Sequence, residues 1–281
     1  MSINYKKENT VKFRLMILFL VLPLMALLTD FVQAVNADEN EPTLPALFET
    51  QKEAAKKGCK KVYLKGRDRE SCVIEAADMH MFLVTVYDKN SKGQFVKSNQ
   101  ICFPSWYGKA SVEYKDILPD GKQLMFVKFE GNTGTGTLQM ILMIIRWHDN
   151  DFVPVLGETI SYDLDSLGYK QELKVSYALE NVKTKELSIG LKYEFGVISE
   201  ARPAVNFKAA WSDRLIWDEK SGSFYNDEYN RSLLNAPFYV QRNIARVRQS
   251  LRSIKMSDLC DGFFEKTGIM DILTYEHLRT K

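Results

Sequence analysis

Histidine, cysteine and long apolar runs are all scarce in this chain, and each scarcity removes a class of function. Only three histidines occur in 281 residues: His80, His148 and His277. None has a second His or Cys at metal-ligand spacing, although His148, beside Asp149 and near Asp151 in a turn, could ligate a metal with those two carboxylates. No His-Glu-x-x-His, Gly-x-Ser-x-Gly or Ser-x-x-Lys is present. Asp163-Leu164-Asp165 lacks the further acidic ligands of a calcium loop. The glycine-threonine stretch 131–137 has no phosphate-loop lysine. A strand-like run comes after it, so it has no helix N-terminal amides to hold a phosphate. We therefore expect no cofactor and no metal. Catalytic groups that assemble only in space leave no such trace, so an enzyme is not excluded.

The longest apolar stretch near the N-terminus, Leu15 to Leu28, is about fourteen residues, short of the ~20 that span a bilayer. Lys6, Lys7, Lys12 and Arg14 precede it, Asp30 interrupts the apolar character just after it, and Val35-Asn36-Ala37 places small residues at a cleavage position. This predicts a signal peptide over 1–37, with an uncleaved anchor as the competing reading. Removing 1–37 takes away four basic and two acidic residues, and the net charge of +2 falls to zero. A neutral mature chain argues against nucleic acid as a partner. After processing, no transmembrane span is expected, and the location is periplasmic or secreted.

Export gives the four cysteines, Cys59, Cys72, Cys102 and Cys260, an oxidising setting. They allow three pairings. Cys59–Cys72 with Cys102–Cys260 is favoured, because the first pair is close in sequence. No Cys-x-x-Cys suggests a redox role.

The organising stretch is Leu138 to Trp147, the longest apolar run beyond the N-terminal one. Turn residues bound it on both sides, and strand-like Leu124–Phe129 and Phe152–Leu156 flank it. It reads as a central strand buried on both faces, within a meander of three. Pro154 has no N–H to give, so the third strand is expected to be bulged or at an edge there. Further on, Leu173, Val175, Tyr177 and Leu179 alternate with polar residues, as do Leu187, Ile189, Leu191, Tyr193 and Phe195. That period of two, on either side of the polar loop 181–186, predicts a hairpin with one dry face. A last hairpin is expected from Arg214–Trp217 and Ser223–Tyr225.

Two surface features suggest partners. Between Cys59 and Cys72 lie Lys60, Lys61, Lys65, Arg67 and Arg69, read as a stapled basic hairpin. It is either a docking patch for an anionic envelope polymer or simply a solvated face. Trp211 and Trp217 sit in an aromatic-rich region, which suits a sugar or partner strand but also ordinary cross-strand packing.

After residue 228 the period becomes helical. Val240, Ile244, Val247, Leu251 and Ile254 recur at four and three, with Arg242, Arg246, Arg248, Arg252 and Lys255 elsewhere. This predicts an amphipathic helix with a basic outer surface, followed by short helices near 258–266 and 269–279. The expected fold is α+β: a single domain over 38–281, built on a large mostly antiparallel sheet (meander, sandwich or partly closed barrel) covered by C-terminal helices from about 228. The expected function is non-catalytic binding of a partner protein, polysaccharide or apolar ligand in the envelope. The alternative is a hydrolase with a spatially assembled site.

Overall fold

A computed structural model describes residues 59–77, 80–134, 136–166, 168–199, 205–225, 233, 234, 236, 238–256 and 259. The predicted signal peptide, Cys260 and most of the two short C-terminal helices lie outside the described residues. Eleven strands and one helix are present among the described residues: β1 (Lys60–Val62), β2 (Ser71–Ala77), β3 (Met81–Lys89), β4 (Phe95–Pro104), β5 (Ser111–Asp116), β6 (Gln123–Gly134), β7 (Thr137–His148), β8 (Asp151–Ser166), β9 (Tyr169–Glu180), β10 (Ser188–Ser199), β11 (Val205–Ile216) and α1 (Phe238–Ser253). The strands form two antiparallel meanders. One is four-stranded, in the order β1-β2-β3-β4, and the other seven-stranded, in the order β11-β10-β9-β8-β7-β6-β5.

β7 is the predicted central strand, and Ile141 to Ile145 are fully buried. Two neighbours on β6 show what buries both faces. Phe129 meets Phe103 of the four-stranded sheet, with ring centroids 5.4 Å apart. Phe126, an odd number of residues away and so on the opposite face, stacks with Tyr177 of β9 at 6.4 Å. In a flat sheet β6 and β9 would stand about 14 Å apart, three strand spacings. The sheet therefore curls over one of its own faces. The hairpin tip between β9 and β10 reaches the end of β5, where Lys183 N donates to Ile117 O at 2.9 Å and Lys183 Nζ meets Asp116 at 2.6 Å.

Pro154 acts as expected. The β7–β8 register shifts between Ile144 and Ile145, which pair with Leu156 and Pro154 and leave Val155 extra. A second shift between Met140 and Ile141 leaves Ile160 extra. Before Ser161, β8 and β9 are apart: their ladder covers only Ser161–Ser166 against Tyr169–Lys174. Two elements use the released part of β8. Phe224 N donates to Val155 O at 3.0 Å, and α1 packs against β8. Gly157 makes the close approach possible, since a Cβ there would lie 2.5 Å from Leu251 Cβ.

Three expectations need correction. The sheet is not covered by several C-terminal helices; among the described residues there is one helix, and the curled sheet covers much of its own inner face. The last hairpin is reduced to a single bridge, Asp218 with Ser223, because Arg214–Ile216 continues β11 along β10. The basic outer surface of the helix loses Arg248. Arg246, Arg252 and Lys255 are exposed, but Arg248 is 1% exposed and lies on the buried stripe with Ile244, Val247 and Leu251.

Candidate functional site

The buried stripe of α1 carries the densest charge cluster in the described interior. Arg248 Nε donates to Glu158 Oε2 at 2.7 Å, and its Nη2 donates to Tyr193 OH at 2.6 Å and to Asp213 Oδ2 at 3.3 Å. The two carboxylate side chains are 1% and 2% exposed. Each partner comes from a different part of the curled sheet: Glu158 from released β8, Tyr193 from β10 and Asp213 from β11. Burial pushes the Glu158 carboxyl up, against the pull of the Arg248 guanidinium. Burial likewise drives the Tyr193 phenol well above its ordinary value. Trp211 stacks on Tyr193, with centroids 4.8 Å apart and planes 5° from parallel. Paired carboxylates can serve acid–base chemistry, but here Arg248 engages both and burial keeps bulk water from them. The cluster fastens the helix to the sheet.

A different surface is open. On β9, β10 and β11 the outward residues form two rungs across three strands. Lys174, Glu194 and Ala210 make one rung; Glu172, Gly196 and Lys208 make the other. Gly196 and Ala210 leave the middle low, and the result is an open depression of about 510 Å³. Lys174 bonds Glu172 along β9 at 2.5 Å, which holds the Glu172 carboxyl below and the Lys174 ammonium above their usual values. Lys208 and Glu194 make no ion pair among the described residues.

The basic hairpin forms as predicted, stapled by Cys59–Cys72. Its charges are largely met from within. Lys65 is turned inward, 12% exposed, bonding Asp88 and standing 3.7 Å from the Trp147 ring centroid. Lys61 meets Glu70 at 3.3 Å, and Lys60 meets Glu75 at 4.0 Å. Arg67 lies across Gly121, and Arg69 is exposed. Lys60, Lys61, Arg67 and Arg69 thus remain at the surface, while Lys65 does not. Trp211 and Trp217 are each 7% exposed and are packed by their own sheet, Trp217 edge-on to Phe224 at 5.2 Å. They offer no platform to a sugar ring. Cys102, on β4, is also disulfide-bonded; its expected partner, Cys260, lies outside the described residues.

His148 Nε2 meets Asp149 Oδ2 at 3.1 Å in an exposed turn. Among the described residues no three His, Cys, Asp or Glu side chains come together as a metal-holding group. No described helix is long and apolar enough to cross a membrane. Sequence reasoning missed Glu158, Asp213 and Arg248 as a unit. The available signal was the spacing of Ile244, Arg248 and Leu251, which puts an arginine on the apolar stripe. No protein-family model matches the chain, and neither a curated protein nor a solved structure matches it.

Proposed function

We propose that the protein is an exported, non-catalytic binding protein that engages a partner polypeptide through the outer face of β9, β10 and β11. One observation carries the reading: the depression floored by Gly196 and Ala210 and edged by Glu172, Lys174, Glu194 and Lys208. Its charges alternate in sign, which suits a polypeptide bearing both signs better than a uniformly anionic polymer. It is shallow and open, and so does not exclude water as an active site does. The apolar run at 15–28 and the Cys59–Cys72 bridge support export to the periplasm or outside the cell.

Photo-crosslinking tests the surface. A crosslinker placed at Ala210 should give a discrete adduct in the native envelope, and reversing the charges at Lys208 and Glu194 should abolish it. Equal adducts from Ser98, an exposed position on β4, would end the proposal.

A further inference from the structure

A small pocket opens where the stapled hairpin meets the turn between β5 and β6. It measures about 170 Å³ and is lined by Tyr63, Arg67, Asp116, Gly121 and Gln123. Tyr63 and Gln123 hold each other in place: Gln123 N donates to Tyr63 O at 2.9 Å, and Tyr63 N donates to Gln123 Oε1 at 2.8 Å. The second bond fixes the carboxamide, because an N–H must face the oxygen, and Nε2 is left over. Gly121 makes room for Arg67. Its φ of +73° suits the turn, and a Cβ there would run into Arg67 Nε. The arginine stem therefore lies on bare backbone.

The side chains of this pocket offer open donors and spent acceptors. Arg67 makes no ion pair or hydrogen bond among the described residues, and neither does Gln123 Nε2. Arg67 is exposed and Gln123 half-buried, so both are reached from solvent. Gln123 Oε1 is taken by Tyr63 N, Asp116 Oδ2 by Lys183 Nζ at 2.6 Å, and Asp116 Oδ1 is closed to solvent. A set of free donors of this kind calls for an anion. Arg67 and Lys183 against Asp116 leave one net positive charge. Lys122 pairs with Asp120 at 3.2 Å, and Asp68 turns over Gly66, its Oδ1 3.0 Å from where a Cβ would stand there.

We infer that this pocket seats the carboxylate of one acidic side chain of a partner polypeptide, on the Arg67 guanidinium with Gln123 Nε2 beside it. One net charge matches a carboxylate and not a dianionic phosphate. The guanidinium fork fits a planar carboxylate through two N–H groups. At about 170 Å³ the pocket lies below the ~300 Å³ at which small-molecule sites begin, so it takes the end of a single side chain. A polyanion would need a row of open cations, and the neighbouring ones are taken: Lys60 by Glu75, Lys61 by Glu70 and Lys65 by Asp88. Of the hairpin's basic residues, Arg67 and Arg69 stay unpaired among the described residues, and only Arg67 lines this pocket. The site is independent of the β9–β11 surface, and either proposal stands if the other falls.

The test is an NMR titration of the purified protein with N-acetyl-glutamate methylamide, following the Gly121 backbone amide. A saturating shift is expected, with none from the glutamine analogue, which has the same shape and no charge. R67A should weaken binding about tenfold, the worth of one charge-assisted bond. Q123E keeps an acceptor for Tyr63 N but puts a carboxylate oxygen where Nε2 stands, and should abolish binding. R69A, on the same hairpin but outside the pocket, should leave it unchanged. Equal response to the glutamine analogue, unchanged affinity in R67A or Q123E, a loss in R69A as large as in R67A, or no response at all would each overturn the inference. Tighter binding of inorganic phosphate would overturn it in favour of a phosphate ligand. A response to galacturonate without one to the glutamate derivative would overturn it in favour of an acidic polysaccharide.

Discussion

Arg248 Nε lies 2.7 Å from Glu158 Oε2, although ninety positions separate the two residues in the chain. The contact joins the helix to the stretch of β8 that β9 has left. Because Arg248 also reaches Tyr193 on β10 and Asp213 on β11, one guanidinium ties three strands to α1. Its removal leaves two acids buried without a cation. R248M should therefore cost about 3–5 kcal/mol in chemical denaturation, and R248M with E158Q and D213N should recover part of that loss. Equal stability of R248M and the native chain would show that the contact does not hold the helix.

The same cluster sets a pH dependence. Burial pushes the Glu158 carboxyl above its usual value. Its contribution to stability is full below the unfolded value and is lost as pH rises through the raised folded value. Asp88 runs the other way. Burial raises it, but donors from Lys65 and Ser71 outweigh that and leave it lowered. Its contribution is present above the unfolded value and lost as pH falls through the folded one. Urea midpoints across a pH series should show E158Q flattening the decline above the ordinary carboxylate range, and D88N flattening the decline on the acid side. An E158Q profile parallel to the native one would remove Glu158 as the cause.

Gly157 limits how near α1 can lie. In G157A the new methyl would fall 2.5 Å from Leu251 Cβ and 3.0 Å from Tyr225 OH. The helix must shift, at about 1–3 kcal/mol. Hydrogen exchange should show α1 amides losing protection while β6 and β7 keep theirs; uniform loss would contradict a local displacement.

The Cys59–Cys72 bridge spans 13 positions. Replacing both cysteines by serine should cost about 3 kcal/mol in the chain-entropy model. Mass mapping without reductant should recover the linked peptides; free thiols at both positions in exported protein would refute the bridge.

Much of the fold was legible because alternation reports one-sided burial directly. Residues 173–195 gave β9 and β10, and a continuous apolar run gave β7. The curl was not legible, since only distant packing such as Phe126 on Tyr177 creates it. Arg214–Trp217 passed for half of a hairpin because a turn comes next, whereas its strand partner is β10. Glu158, Asp213 and Arg248 escaped notice for one reason: a charge in a strand or helix ordinarily points to water, and only tertiary contact turns it inward.

The parting of β8 from β9 carries a hazard for the molecule. Residues 151–160 keep β7 on one side, while the other is shielded by Phe224 and α1 instead of a neighbouring strand. If the helix lifts away, that margin becomes a template onto which another copy can add, backbone to backbone. The ion cluster thus guards against fibre-like self-association as well as unfolding.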